Sequence, residues 1–154
     1  MASWNIETDR EELREFLDAK VNLYNSRAFV ASDPIQVPHR FEKPEDIEIA
    51  GFLTSAISWG QKRTIIANAG RLMEMMEGGP HEFLLYGSDK GFDRFLSFVH
   101  RTFNGIDCIY FLKALSRIYR DCGGLGRLFQ EAYRKHGDVA RAIMTFREEF
   151  FRLG

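Results

Sequence analysis

Two stretches of this 154-residue chain hold residue types at spacings that could do chemistry. The first is Asp33-Pro34-Ile35-Gln36-Val37-Pro38-His39-Arg40-Phe41. Its two prolines can fold the chain back and bring Asp33 to His39 as an acid–base pair for a small-molecule substrate, with Gln36 and Arg40 alongside. The plainer alternative is that Asp33 caps a turn, His39 satisfies a local carbonyl and the prolines stiffen a surface crossing. Loops of this composition usually serve geometry, so the plainer alternative carries more weight. The second is Gln61-Lys62-Arg63, which follows an abrupt helix end and opens the next helix. Backbone N–H groups at a helix N-terminus attract phosphate, Lys62 and Arg63 add charge, and Gln61 can reach a base edge. A solvated helix start would look the same.

Other clusters are weaker. Gly123-Gly124-Leu125-Gly126-Arg127 has the glycines of a hairpin that offers backbone amides to DNA phosphate, without the usual proline. A glycine C-cap followed by a new helix explains it better. Glu45, Asp46 and Glu48 sit where a helix start favours carboxylates, so no metal is inferred from them. His39, His81, His100 and His136 lack metal-ligand spacing, and no motif for a cofactor or a phosphate-binding loop is present. Cys108 and Cys122, the only cysteines, fall on one apolar helix face and read as buried thiols.

The elements that must position these residues are helical. Thr8 and Glu11 match a capping box, and the helix after them aligns Leu13, Phe16, Leu17 and Tyr24, ending near Asn25. Residues 26–43 show no helical period, and the prolines should hold Asp33 and Val37 extended. A helix over 44–59 carries Ile49, Phe52, Leu53, Ala56 and Ile57. Its remaining positions are small or weakly polar, which marks a central helix that neighbours approach closely. Gly60 stops it. The next period runs Ile65, Ala69, Leu72, Met73, Met76 to Gly78-Gly79-Pro80, and Pro80 starts a short helix. Residues 92–103 place Phe95, Phe98, Val99 and Phe103 on one side. Asn104-Gly105 reads as a helix–helix connection. Helices follow over 106–121, after Gly123-Gly124, and after Gly137-Asp138, the last carrying Val139, Ile143, Phe146 and Phe150. The pattern predicts one all-α domain over 1–154, with seven to eight helices and no strand.

Composition fits that fold. Apolar residues make up 45% and charged residues 28%, which is globular. Fourteen phenylalanines promise an aromatic core. No apolar run has the length of a membrane span and no signal peptide begins the chain, so a cytoplasmic protein is expected. The net charge is -1 but unevenly spread. Residues 1–93 hold 10 Lys/Arg and 16 Asp/Glu; residues 94–154 hold 11 and 6. Two halves that pack together and compensate is the expected meaning, ahead of a one-sided basic footprint.

From Asp33 to about Phe129 the chain resembles a known family. The runs DPIQVPHRF, DIEIAGFLTSAISWGQ and HRTFNGID are similar to the uncharacterised bacterial family called domain of unknown function 2400. More distantly, IAGFLTSAIS followed by a turn and a second helix resembles the early helices of the endonuclease III group of DNA glycosylases. There an S-A-Q segment fills the gap left by an extruded base. Here Ser55-Ala56 is followed by Ile57, and Gln61 stands four residues further on. The resemblance implies an orthogonal helix bundle matching one half of that fold. It also implies a longer relative whose second half carries an aspartate-bearing catalytic segment. This chain would then be an N-terminal portion that supplies scaffold and DNA phosphate contacts through Gln61, Lys62 and Arg63, without the catalytic pair. The competing expectation is a non-catalytic interaction module that self-associates or binds a partner chain through Phe146, Phe150 and Phe151.

Overall fold

The computed structural model describes residues 6–153. Among the described residues nine α-helices run in order: α1 (Ile6–Tyr24), α2 (Arg27–Val30), α3 (Pro44–Ala56), α4 (Lys62–Met75), α5 (Pro80–Tyr86), α6 (Asp89–Asp93), α7 (Gly105–Arg117), α8 (Leu125–His136) and α9 (Val139–Phe150). Seven of them have seven or more residues, and no strand occurs among the described residues. The all-α expectation holds.

α3 is central, as its small-residue pattern predicts. Pro44 sets the first turn, and Glu45 and Asp46 lie at the positive end. It packs on α4, α5, α8 and the two turns of the proline-rich run. Two of its acids cap other elements. Asp46 Oδ1 accepts from the His81 amide in the first turn of α5 at 2.8 Å. Glu48 Oε2 accepts from the Tyr119 hydroxyl at 2.8 Å and the Gly126 amide at 3.2 Å. The core that these braces enclose includes Ile49, Leu53, Leu72, Leu84, Phe95, Phe98, Leu112 and Leu115, all fully buried.

Asn104 begins α7 with a capping box to Asp107, so the Asn-Gly pair joins helices as its flanks suggest. After Arg117, a π-turn over Ile118–Cys122 leads to Gly123 and Gly124, both at positive φ (76° and 106°). Only glycine takes that succession without strain. The Gly126 amide is occupied by Glu48, so this segment presents no open amide at that position and acts as a cap and restart.

Five expectations need correction. Residues 26–43 are not irregular. Ser26 caps α2, and single 3-10 turns span Pro34–Gln36 and Pro38–Arg40. Asp33 is extended, but Val37 is helical (φ -68°, ψ -54°) because its amide closes the first turn and its carbonyl opens the second. Residues 92–103 do not form one helix. α6 passes into a 3-10 turn over Arg94–Ser97, and His100 and Phe103 then exchange backbone hydrogen bonds. Phe95, Phe98 and Phe103 are buried, while Val99 is exposed. Thr8 does not start α1, which is already helical at Ile6. The apolar face of α1 is exposed along its length.

The fifth correction concerns the terminal aromatics. Phe150 is 2% exposed, and its ring lies 4.9 Å from Phe111 and 5.4 Å from Phe52. Phe146 stacks on Phe129 at 5.3 Å. Both face inward, where edge-to-face and offset contacts favour them. Only Phe151 of the three offers a surface.

A pocket between α3, the proline-rich turns and the start of α4

The three sequence candidates Asp33, His39 and Lys62 meet in one cavity of about 780 Å³. Local chemistry puts them there. Asp33 caps the first 3-10 turn, its Oδ1 accepting from the Ile35 amide at 3.1 Å. Pro34 and Pro38 each occupy the first position of a turn, where a missing N–H costs nothing. These turns form one wall, with Phe41 at its end. α3 forms the floor with Ile47, Gly51, Thr54 and Ser55, and Ser58 just beyond its end continues it. The spacing of four, three and one residues from Ile47 to Ser55 is one helix face. Gly60, Lys62 and Ile65 close the far side.

Asp33 and His39 share the pocket, but no hydrogen bond joins them among the described contacts. The Asp33 carboxylate faces Lys62 instead, with Nζ 3.4 Å from Oδ2. The Lys62 ammonium also lies over the Phe29 ring, 5.5 Å from its centre. His39 is exposed at the rim. Gln36 turns away and donates its amide to the Ala31 carbonyl at 3.0 Å, fastening the loop. Arg40 runs along α4, its guanidinium beside Gly70. The four candidates of the proline-rich run therefore divide into two pocket residues, Asp33 and His39, and two braces, Gln36 and Arg40.

Gln61 is the N-cap of α4, and its side chain makes no capping bond. The first-turn amides therefore lack a side-chain acceptor, next to exposed Lys62 and Arg63. The connection from α3 to α4 is pinned from below. His100, 2% exposed, accepts from Asn68 Nδ2 at Nδ1 (2.9 Å) and donates from Nε2 to the Trp59 carbonyl (3.1 Å). These partners select the neutral Nε2–H tautomer. Arg101 follows it, and its side chain passes over Gly60. Thr54 Oγ1 is buried at the pocket floor without a hydrogen-bond partner.

Sequence reasoning missed Thr54, Ser58, His100 and Arg101, and reached Ser55 only through the glycosylase resemblance. Thr54, Ser55 and Ser58 carried a readable signal, a run of small and hydroxylated residues, but it pointed equally to close helix packing. His100 and Arg101 carried none, because the partners of His100 lie 32 and 41 positions away and Arg101 meets Gly60 only through the fold. The ionisations most displaced among the described residues lie outside the pocket. Burial, then Asp107, pushes the Cys108 thiol from 9.0 up to about 12. Burial, then the hydrogen bond to Glu48, raises the Tyr119 hydroxyl.

No curated protein and no solved structure matches the chain. A family model described as a protein of unknown function (DUF2400) matches residues 33–153. That span includes the pocket and excludes α1, and the chain belongs to this family.

Proposed function

We propose that this chain is a nucleic-acid-binding helical domain that seats a backbone phosphate at the start of α4 and an unpaired base in the adjoining pocket. The observation that carries this reading is that Lys62 belongs to both places. It stands on the first turn of α4, whose amides have no side-chain cap, and it lines a largely apolar cavity of about 780 Å³. Helix N-termini bind phosphate through their amides and dipole. A pocket within the range of about 300–1,000 Å³ suits a nucleoside-sized group. Arg63 and Arg101 extend the positive rim, and the α3 face supplies apolar and hydroxyl contacts for a base. The distant resemblance of the IAGFLTSAIS run to the early glycosylase helices favours the same reading. Binding is the role of these residues; Asp33 is a counterion to Lys62 and not an attacking base.

The test is fluorescence anisotropy with a labelled single-stranded oligonucleotide over a salt series. Affinity should fall with salt, and Lys62→Ala with Arg63→Ala should make the log–log slope shallower by about 1.4, at about 0.7 per lost phosphate contact. Asp33→Asn keeps the bond to the Ile35 amide and releases Lys62, so it should tighten binding. Salt-independent binding, or equal slopes in parent and double variant, would refute the reading.

A further inference from the structure

We propose that two copies of this chain associate by exchanging α1, the acidic amphipathic helix of each lying on the exposed face of α9 in the other. α1 leaves an apolar stripe uncovered: Leu13, Phe16, Leu17 and Val21 are 50–56% exposed. A helix of 19 residues owes its persistence in water to burial of such a face, because propensity alone leaves it marginal. α1 makes no extensive packing contact with any other element among the described residues.

Charge selects the occupant. Residues 6–24 hold six Asp/Glu and three Lys/Arg, and their one ion pair among the described residues is internal, Arg14 with Asp18. Six carboxylates repel both an anionic lipid surface and a nucleic-acid backbone. A protein face that is apolar and basic is the complement, and this chain displays one. Val139, Ile143, Met144 and Phe151 are exposed along α9 and just beyond it. Arg134, Lys135, Arg141 and Arg147 surround them without an ion pair among the described residues. Of the nearby acids, Glu131 and Glu149 are already paired, with Arg127, Arg117 and Arg152, Asp138 caps α9, and Glu148 is the one carboxylate with neither an ion pair nor a capping bond among the described residues of this face. Within one chain a single ion pair among the described residues joins the acidic and basic halves, Arg94 with Glu77; the carboxylates of α1 meet no cation of the basic half there and can meet one between two chains.

Reciprocal exchange makes the interface isologous, so each contact is made twice. Two docked helices, each about 28 Å long, match the scale of a standard interface of about 1,200–2,000 Å². The surface is separate from the pocket, so this proposal and the nucleic-acid reading fail independently.

Sedimentation velocity of the whole chain over a range of concentration and salt tests it. A reversible, salt-weakened dimer is expected. Leu17→Asp and Ile143→Asp should each give a monomer with an unchanged far-ultraviolet helical signal, since both side chains are exposed in the single chain. Mixing the two should restore a heterodimer that keeps one intact docking site. Glu12→Arg and Arg141→Glu should each weaken the dimer at least tenfold, and their combination should recover part of the loss. A monomer at every concentration overturns the proposal, including the case in which α1 folds onto its own chain. A dimer indifferent to Ile143→Asp overturns it too, because α1 would then pair with α1.

Discussion

Burial decides the chemistry of the individual side chain here. Cys108 is fully enclosed by the core, and the thiolate would sit in apolar surroundings beside Asp107. The folded chain therefore holds this proton up to about 12, whereas the unfolded chain releases it near 9.0. The folded state binds more protons across that window, so stability is intact below the lower value and falls as pH rises through it. Tyr119 adds the same sign for the same first cause. Denaturant unfolding at a series of alkaline pH values should show a shallower decline for Cys108→Ala than for the parent. Parallel curves would contradict the burial argument. Single residues such as Asp33, His39 and Lys62 are legible in the sequence because their types are chemically conspicuous. Their pairing is not: which acid meets which base depends on two 3-10 turns that no periodicity announces.

Helices are legible where local rules agree. α4 shows a clean period, and α7 has its capping box in plain view at Asn104 and Asp107. Residues 92–103 misled because four apolar side chains at near-helical spacing also fit a chain that turns sharply past His100. Close approach is the second thing that spacing hides. At Gly105 an added Cβ would overlap the Leu96 backbone carbonyl, which cannot move aside. At Gly70 it would meet only the flexible tip of Arg40, at 3.3 Å. Alanine normally gains about 1 kcal/mol over glycine inside a helix. Gly105→Ala should reverse that sign and cost about 1–3 kcal/mol through overpacking, while Gly70→Ala should hold or raise stability. Thermal unfolding of both variants decides between steric and propensity control.

For the whole molecule, the aromatic residues and the charge act at different places. Most of the phenylalanines that the composition promised lie inside, joining α3, α7, α8 and α9 through Phe52, Phe111, Phe129, Phe146 and Phe150, while Phe16 and Phe151 stay exposed. The charge is left outside, acidic on α1 and basic toward the C-terminal helices. The fold class followed from composition and period because both report burial in a single chain. The role of α1 did not, because an apolar stripe looks alike whether a neighbouring helix or another molecule covers it.

The pair of positive-φ glycines before α8 has a consequence for how the molecule opens. α8 and α9 pack mainly on each other, and they leave the rest of the chain through Gly123 and Gly124 with no regular helix crossing that point. Such a segment can detach as one cooperative unit, a foldon, held by the aromatic cluster and the Arg117–Glu149 contact. Native-state hydrogen exchange should then show the amides of α8 and α9 exchanging together, at a free energy below that of α3 and α7. Phe146→Leu should lower that shared value and leave the exchange of α4 unchanged.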